Sequence, residues 1–179
     1  DGQVCIYSLA STDVVVDVQG WVAPDQSATP FTAVTPSRLV DTRSGSPVTA
    51  SSPLTIPVHG VAVTIAGAAV TIPTSATAAV VNVVAADPDD AGFVTVWPCA
   101  GDVPLAANLV YLSGDTRGNG VIAPIGPDGS ICVYSLSPAD IIVDISGWLT
   151  GPTPGSGGFT GAVSNRFVDT RFAVGPLPI

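Results

Sequence analysis

The chain has 179 residues, and its 14 acidic side chains, all aspartate, against five arginines give a formal net charge of −9. This acidity excludes a nucleic-acid-binding protein of the usual kind, because phosphate contacts require a basic surface. Hydrophobic residues make up 46% of the chain and charged residues only 11%, which excludes an intrinsically disordered protein.

The composition also favours strands over helices. Glu, Lys and Met, which favour helices, are absent, whereas Val, Ile and Thr are abundant and 17 Pro and 19 Gly interrupt the chain. We therefore expect an all-β protein. Its apolar runs are shorter than the roughly 18 residues that a membrane-spanning helix needs, so no membrane insertion is expected.

Alternation of apolar and polar residues predicts the strands in chain order. They are expected near 38–42, 53–58, 62–72 (perhaps as a hairpin), 77–86, 92–98, 107–112, 119–124, 130–136 and 140–148. In the last strand, the alternation assigns Ile141, Val143 and Ile145 to the core. Short strands at this spacing predict β-sandwich domains, Ig-like or jelly-roll-like, with a small β-barrel as the alternative.

Two segments of the chain occur twice. DGQVCIYSLASTDVVVDVQGWV (1–22) returns as DGSICVYSLSPADIIVDISGWL (128–149) with 11 of 22 positions identical, and FTAVTPSRLVDTR (31–43) returns as FTGAVSNRFVDTR (159–171). The offsets of 127 and 128 residues match the size of a domain rather than of a solenoid repeat. The sequence therefore predicts domains in tandem.

This repetition sets the expected domain boundaries. One complete β-domain spans 31–149, between two Pro/Gly/Ser/Thr-containing linkers at 23–30 and 150–158. Residues 1–22 are expected to be the C-terminal strands of a preceding repeat, and 159–179 the N-terminal strands of a following one.

Four of the five arginines lie in the two copies of one motif, RLVDTR (38–43) and RFVDTR (166–171). The favoured interpretation is structural: Arg38 or Arg43 pairs with Asp41, Asp144 or both and fastens the first strand of the domain to the last. The alternative is a clamp for a carboxylate or phosphate, because guanidinium groups bind such anions in pairs.

The cysteines predict the redox environment. Cys99 and Cys132 lie at the ends of predicted strands of the same repeat, so we expect a disulfide between them, worth roughly 3–4 kcal/mol. Cys5 is the counterpart of Cys132, and we expect its partner upstream of residue 1, outside this segment. Disulfides persist in oxidising surroundings, which predicts an extracellular or cell-surface protein.

Few residues suggest a metal or a reaction. Asp87, Asp89 and Asp90 are weak candidates for Ca²⁺ ligands, but they lack the spacing of an EF-hand loop and suit an ordinary turn. His59 has no second ligand nearby in the sequence. Because GxSxG and Gly-rich phosphate loops are also absent, we expect no enzyme and no cofactor.

The tryptophans allow two interpretations. Trp21 and Trp148 precede the linkers, and Trp97 lies two residues before Cys99. Exposed Trp side chains can stack on sugar rings, whereas Trp beside a disulfide or a domain junction usually packs. The second interpretation is favoured.

The motifs RLVDTR, GFVTVWPC, GPDGSICVYS and IIVDISGW, in this order, resemble a repeat found in secreted and cell-surface proteins of actinobacteria-like bacteria. The resemblance covers nearly the whole chain and implies an extracellular β-domain repeat, without an activity or a cofactor. The segment GVAVTIAGAAVTI (60–72) departs from the repeat, and its apolar content suggests a surface that docks on another domain.

These observations favour a non-enzymatic structural repeat of a bacterial extracellular filament, stalk or surface layer. Its partners would be adjacent repeats or copies of itself, arranged end to end. The alternative is an adhesin or glycan-binding module that recognises a cell-wall or surface glycan.

Overall fold

The computed structural model describes residues 6, 8, 10–22, 31–104, 106–150 and 159–170, with the backbone alone in the first and last strands. The regular secondary structure of these residues consists of β-strands, which turns and longer loops connect, and this confirms the all-β prediction. No helix capable of crossing a membrane occurs in the part of the chain that the structure describes.

The chain forms two compact units. The central unit is Ser27–Gly157, and the terminal unit combines Asp1–Gln26 with Gly158–Ile179. The strands of the central unit are β2 (Phe31–Asp41), β3 (Leu54–Pro57), β4 (Ala62–Ile65), β5 (Ala68–Thr71), β6 (Ala76–Ala86), β7 (Gly92–Trp97), β8 (Leu109–Tyr111), β9 (Arg117–Pro124), β10 (Ser130–Ser135) and β11 (Asp140–Thr150).

These ten strands form two open antiparallel sheets. The six-stranded sheet has the order β5-β4-β2-β11-β6-β9, and the four-stranded sheet has the order β3-β10-β7-β8. One core unites residues of both, including Val83 and Val143 from the first sheet and Val94 and Val133 from the second, all with no exposed surface. Two sheets that share one core are consistent with a β-sandwich.

Most predicted strands coincide with observed ones, and Ile141, Val143 and Ile145 are fully buried as the alternation predicted. The prediction for the first strand was wrong at its start, since β2 begins at Phe31 and not near residue 38. Pro36, which has no N–H for a ladder, interrupts the sequence pattern there. It sits where the pairing with β11 shifts between Ile145 and Gly147.

The apolar segment 60–72 contains the hairpin β4–β5. Its turn places Ala66 and Gly67 at φ values of 49° and 85°, as a tight hairpin turn requires. Val63 and Ile72 belong to the core of the central unit. The unit's own core therefore accounts for part of the apolar content of this segment.

The terminal unit contains one strand pair, β1 (Val15–Val22) with β12 (Phe159–Asp169). Its antiparallel register repeats that of β11 with β2 when the offsets of 127 and 128 residues are applied. Asp17 is opposite Arg166 as Asp144 is opposite Arg38, and both ladders shift at the same two places. The two strand pairs therefore share one register and the same two irregularities.

Candidate functional site

The candidate site lies on the ladder between β2 and β11, and an irregularity of that ladder creates it. Arg38 is opposite Asp144, but Val40 is opposite Val143, so Leu39 is an extra residue in β2. In a regular strand, residues three apart face opposite sides of the sheet. The extra residue allows Arg38 and Asp41 to meet on one side.

Two arginines and two aspartates form this group, which we call the clasp: Arg38, Asp41, Arg43 and Asp144. Arg38 donates from Nε to Asp144 at 2.5 Å and from Nη1 to Asp41. Arg43 donates from Nε and Nη2 to the two oxygens of Asp41, at 2.9 and 2.6 Å. The clasp thus connects the first strand of the unit to the last.

The charges of the clasp stabilise one another at the surface. Hydrogen bonds from the Arg43 side chain, its backbone N–H and the positive charges of Arg43 and Arg38 lower the pKa of Asp41 to about 2. The hydrogen bond with Asp144 raises the pKa of Arg38, and that with Asp41 raises the pKa of Arg43. The arginine side chains are 45% and 57% exposed, so this is a surface cluster and not a buried ion pair.

A threonine reinforces the same end of the ladder. Thr42 donates from Oγ1 to Asp140 at 2.9 Å and accepts from the backbone N–H of Ile141 at 2.9 Å. The backbone N–H of Thr42 donates to the Ile141 carbonyl at 3.0 Å. We call these three bonds the threonine clip; the sequence analysis missed it, although VDT recurs in both copies of the motif.

The terminal unit contains the same clip. Thr170 accepts from the N–H of Val14 at 2.9 Å and donates from Oγ1 to Asp13 at 3.1 Å. Its backbone N–H donates to the Val14 carbonyl at 3.1 Å. The two ladders therefore have the same threonine side-chain contacts as well as the same backbone register.

The ion pairs of the clasp are suited to holding β2 and β11 together. In the described structure each of its guanidinium groups donates to a carboxylate, whose negative charge opposes the binding of a further anion. Its four side chains are two arginines and two aspartates in mutual contact, an arrangement typical of a structural ion-pair cluster. This geometry favours the structural interpretation over an anion clamp.

The four-stranded sheet carries the disulfide. Cys99 and Cys132 are bonded, as predicted, with Cα atoms 4.9 Å apart. The bond connects the loop after β7 to β10, where Cys132 is opposite Trp97 on one side and Thr55 on the other. Cys5 lies outside the described residues.

A buried hydroxyl network supports the same sheet from the core side. Tyr111 Oη lies 2.6 Å from Ser135 Oγ, donates to the Ser137 carbonyl at 3.0 Å and accepts from the Ser137 N–H at 3.1 Å. A Cβ on Gly92, opposite Tyr111 in the ladder, would lie 2.6 Å from that hydroxyl. The glycine therefore provides the space for the buried ring.

The three aspartates of the DPDDAG loop belong to a turn. Asp87 has a φ of 47°, Asp89 donates its N–H to the Pro138 carbonyl and Asp90 donates its N–H to Ser137 Oγ, both at 3.0 Å. Among the described residues, no three His, Cys, Asp or Glu side chains gather as a metal site.

The remaining predicted site residues pack inside the central unit. Trp97 and Trp148 are buried, and His59 Nε2 lies 2.9 Å from the Ala76 carbonyl. The indole N–H of Trp97 has no hydrogen-bond partner within the described structure. The side chain of Trp21 lies outside the described part of the chain.

One exposed surface was missed by the sequence analysis, and we call it the outer apolar face. It lies on the four-stranded sheet and consists of Phe93, Val110, Tyr134 and Leu136. Val110 is opposite Phe93, the Phe93 and Tyr134 rings are 5.8 Å apart, and Val110 and Leu136 are 63% and 46% exposed. The alternation of β7 and β10 contained this signal, since Phe93 and Tyr134 lie opposite the core-facing positions of their strands.

Comparisons with protein families, with curated proteins and with solved structures find no match for this chain. The site is therefore interpreted from its own geometry. The structure brings together the four clasp residues and the two cysteines of the disulfide, and it places the DPDDAG aspartates in a turn.

Proposed function

We propose that this chain belongs to a non-enzymatic structural repeat of a bacterial extracellular filament, stalk or surface layer, built from β-domains in series. The observation that carries the proposal is the pairing of first and last strands, which occurs twice with one register and one threonine clip. A recurring fastening of this kind suits a domain that is copied along a chain.

For the fold of the whole protein, we propose a tandem array of Ig-like or jelly-roll-like β-sandwiches that are connected by the linkers 23–30 and 150–158. Two antiparallel sheets around one core support the sandwich. The repeated segments support the tandem array. The partners are adjacent repeats or further copies of the chain, and no cofactor is required.

The proposed location is extracellular or on the cell surface. The Cys99–Cys132 disulfide supports this, because such bonds persist in oxidising compartments. Burial of Trp97, Trp148 and Tyr111 inside the unit supports a structural role, since these large aromatic side chains are not available for ligand stacking.

The pairing of first and last strands determines how such repeats are spaced. Leu149 is opposite Phe31, so the chain enters and leaves the unit on adjacent strands, about 5 Å apart. Eight linker residues extend to at most about 30 Å, less than the roughly 36 Å length of an 11-residue strand. The connecting segment is therefore shorter than the long strands of the unit.

Electron microscopy of the native protein, isolated from its source without reductant, tests the proposal. We expect elongated particles with closely spaced globular domains, each advancing the array by no more than about 35 Å, which is the linker plus one strand spacing. A uniform population of single small globular particles would contradict it.

A second candidate function is an adhesin or glycan-binding module, which the outer apolar face favours. The half-buried rings of Tyr134 and Phe93, whose centroids lie 5.8 Å apart, offer a stacking surface for a sugar ring. Binding on a glycan array that is lost in Tyr134→Ala but kept in Ile122→Ala would support this function. Ile122 is a suitable control because it is 52% exposed on the other sheet.

A further inference from the structure

In the six-stranded sheet, β11 pairs with β2 on one side and with β6 on the other. Its partner β2 has a second copy in the chain, namely β12. The segments share Phe, Thr, Arg, Val, Asp and Thr at corresponding positions between 31–42 and 159–170. The ladder of β1 with β12 shows that this copy accepts a last strand in the register of β2 with β11.

We propose that β12, the first strand of the following repeat, competes with β2 for the place beside β11, so that neighbouring repeats exchange their first strands. Addition of a strand from a neighbouring domain uses the same main-chain hydrogen bonds as the domain's own strand. This inference deepens the proposed tandem array and rests on it. With such an exchange, backbone hydrogen bonds connect neighbouring repeats in addition to the linker.

The connection between the two strands permits the exchange. β11 ends at Thr150 and β12 begins at Phe159, which leaves eight residues between them. To place Leu149 opposite Phe159, as it is now opposite Phe31, this segment has to cover one strand spacing of about 5 Å. Eight residues are more than sufficient for such a hairpin connection.

One buried core position differs between the competing strands, besides the partly buried Leu39, which corresponds to Phe167. Val34 of β2 is 8% exposed and belongs to the core, and Ala162 occupies the corresponding register position of β12. Exchange therefore replaces a buried valine by a smaller side chain, which favours the domain's own strand. Changing either residue should therefore shift the ratio of β12 to β2 beside β11 in a direction that is known in advance.

A cysteine competition within the full 179-residue chain tests the proposal. The variant carries Leu149→Cys, Phe31→Cys and Phe159→Cys in a Cys5→Ser background, with the Cys99–Cys132 disulfide retained. After mild oxidation, alkylation and denaturation, cleavage at arginine leaves residues 149 and 159 in peptide 118–166 and residue 31 in peptide 1–38. Attachment of peptide 1–38 to peptide 118–166 through position 149, with the cysteine at position 159 alkylated, reports β2 pairing, and a 149–159 disulfide reports exchange.

We expect both products. Val34→Ala and Ala162→Val should each raise the ratio of exchanged to unexchanged product roughly threefold or more. A 149–159 bond supports exchange whether it lies within one chain or joins two, and non-reducing electrophoresis distinguishes these arrangements. The double variant Phe31→Cys/Leu149→Cys is the control, because it shows whether cysteines at the paired positions 31 and 149 form a disulfide.

Exclusive 31–149 bonding in the triple variant and in both valine–alanine variants would overturn the inference. That result would leave the tandem array intact, because an array of closed domains requires no exchange. A small native particle in electron microscopy would instead contradict the array itself, so the two failures are distinguishable.

Discussion

Each of the two sheets of the central unit is stabilised by a different set of contacts. In the six-stranded sheet, β11 and its neighbours β2 and β6 each have 11 residues, and surface contacts fasten the ladder. In the four-stranded sheet the strands have three to six residues, and a disulfide and a buried hydroxyl network connect them. The three long strands pair over most of their length, whereas covalent and buried contacts supplement the shorter pairing of β3, β10, β7 and β8.

The largest effect is expected from removing the covalent part of the four-stranded sheet. Replacing Cys99 and Cys132 by Ser should lower the free energy of unfolding by about 3–4 kcal/mol, because the unfolded chain loses a constraint over a sequence separation of 33 residues. Urea denaturation measures this effect. Cys5→Ser is the matched control, and an equal loss in it would contradict the assignment.

The next largest effect is expected at the irregularity of the long ladder. A Cβ on Gly147 would lie 2.5 Å from both the Thr32 carbonyl oxygen and the Phe31 ring. Gly147→Ala should therefore lower the free energy of unfolding by about 1–3 kcal/mol. Gly120→Ala on β9 is the control, because a Cβ there meets no atom within 4 Å; equal effects of the two variants would refute the steric explanation.

A smaller effect is expected in the buried hydroxyl network. Tyr111→Phe deprives the Ser137 N–H of its acceptor and should lower the free energy of unfolding by about 1–2 kcal/mol. Tyr134→Phe on the outer apolar face is the matched control and should have little effect. Comparable melting temperatures for both variants would show that the network contributes nothing.

The smallest effect concerns the clasp, and it depends on pH. The folded-state pKa of Asp41 is about 2, below its ordinary value of 3.8, so its stabilising contribution is present above about pH 4 and is lost as the pH falls towards 2. Calorimetric melting temperatures at pH 7, 4, 3 and 2 should therefore fall less steeply below pH 4 in Asp41→Asn than in the parent. Arg43→Gln, which removes the main cause of the lowered pKa, should flatten the same interval, and unchanged slopes in both variants would contradict this role.

The sequence predicted what depends on alternation and on pairing of residue types. The strand near 140–148, its core residues and the Cys99–Cys132 disulfide were all predicted correctly. The ladder irregularities were not predicted, because the extra residue Leu39 has no signature in one sequence and Pro36 marks an interruption without specifying the shifted register. The proximity of Arg38 and Asp41 depends on the first of these.

The outer apolar face shows a different limit. Alternation separates Phe93, Thr95 and Trp97 from the core side of β7, but it does not reveal what covers them. Thr95 and Trp97 are buried, and Thr95 Oγ1 donates to the Ala106 carbonyl in the loop after β7. Burial on this face therefore depends on how a loop folds back, which periodicity does not describe.

The proposed array is tested most directly by the intact mass of the native protein, measured without reductant and after alkylation of free thiols. The account predicts a mass far above the 17.8 kDa of this chain, with every cysteine in a disulfide. A mass of 17.8 kDa, with Cys5 alkylated or joining two chains, would contradict the account.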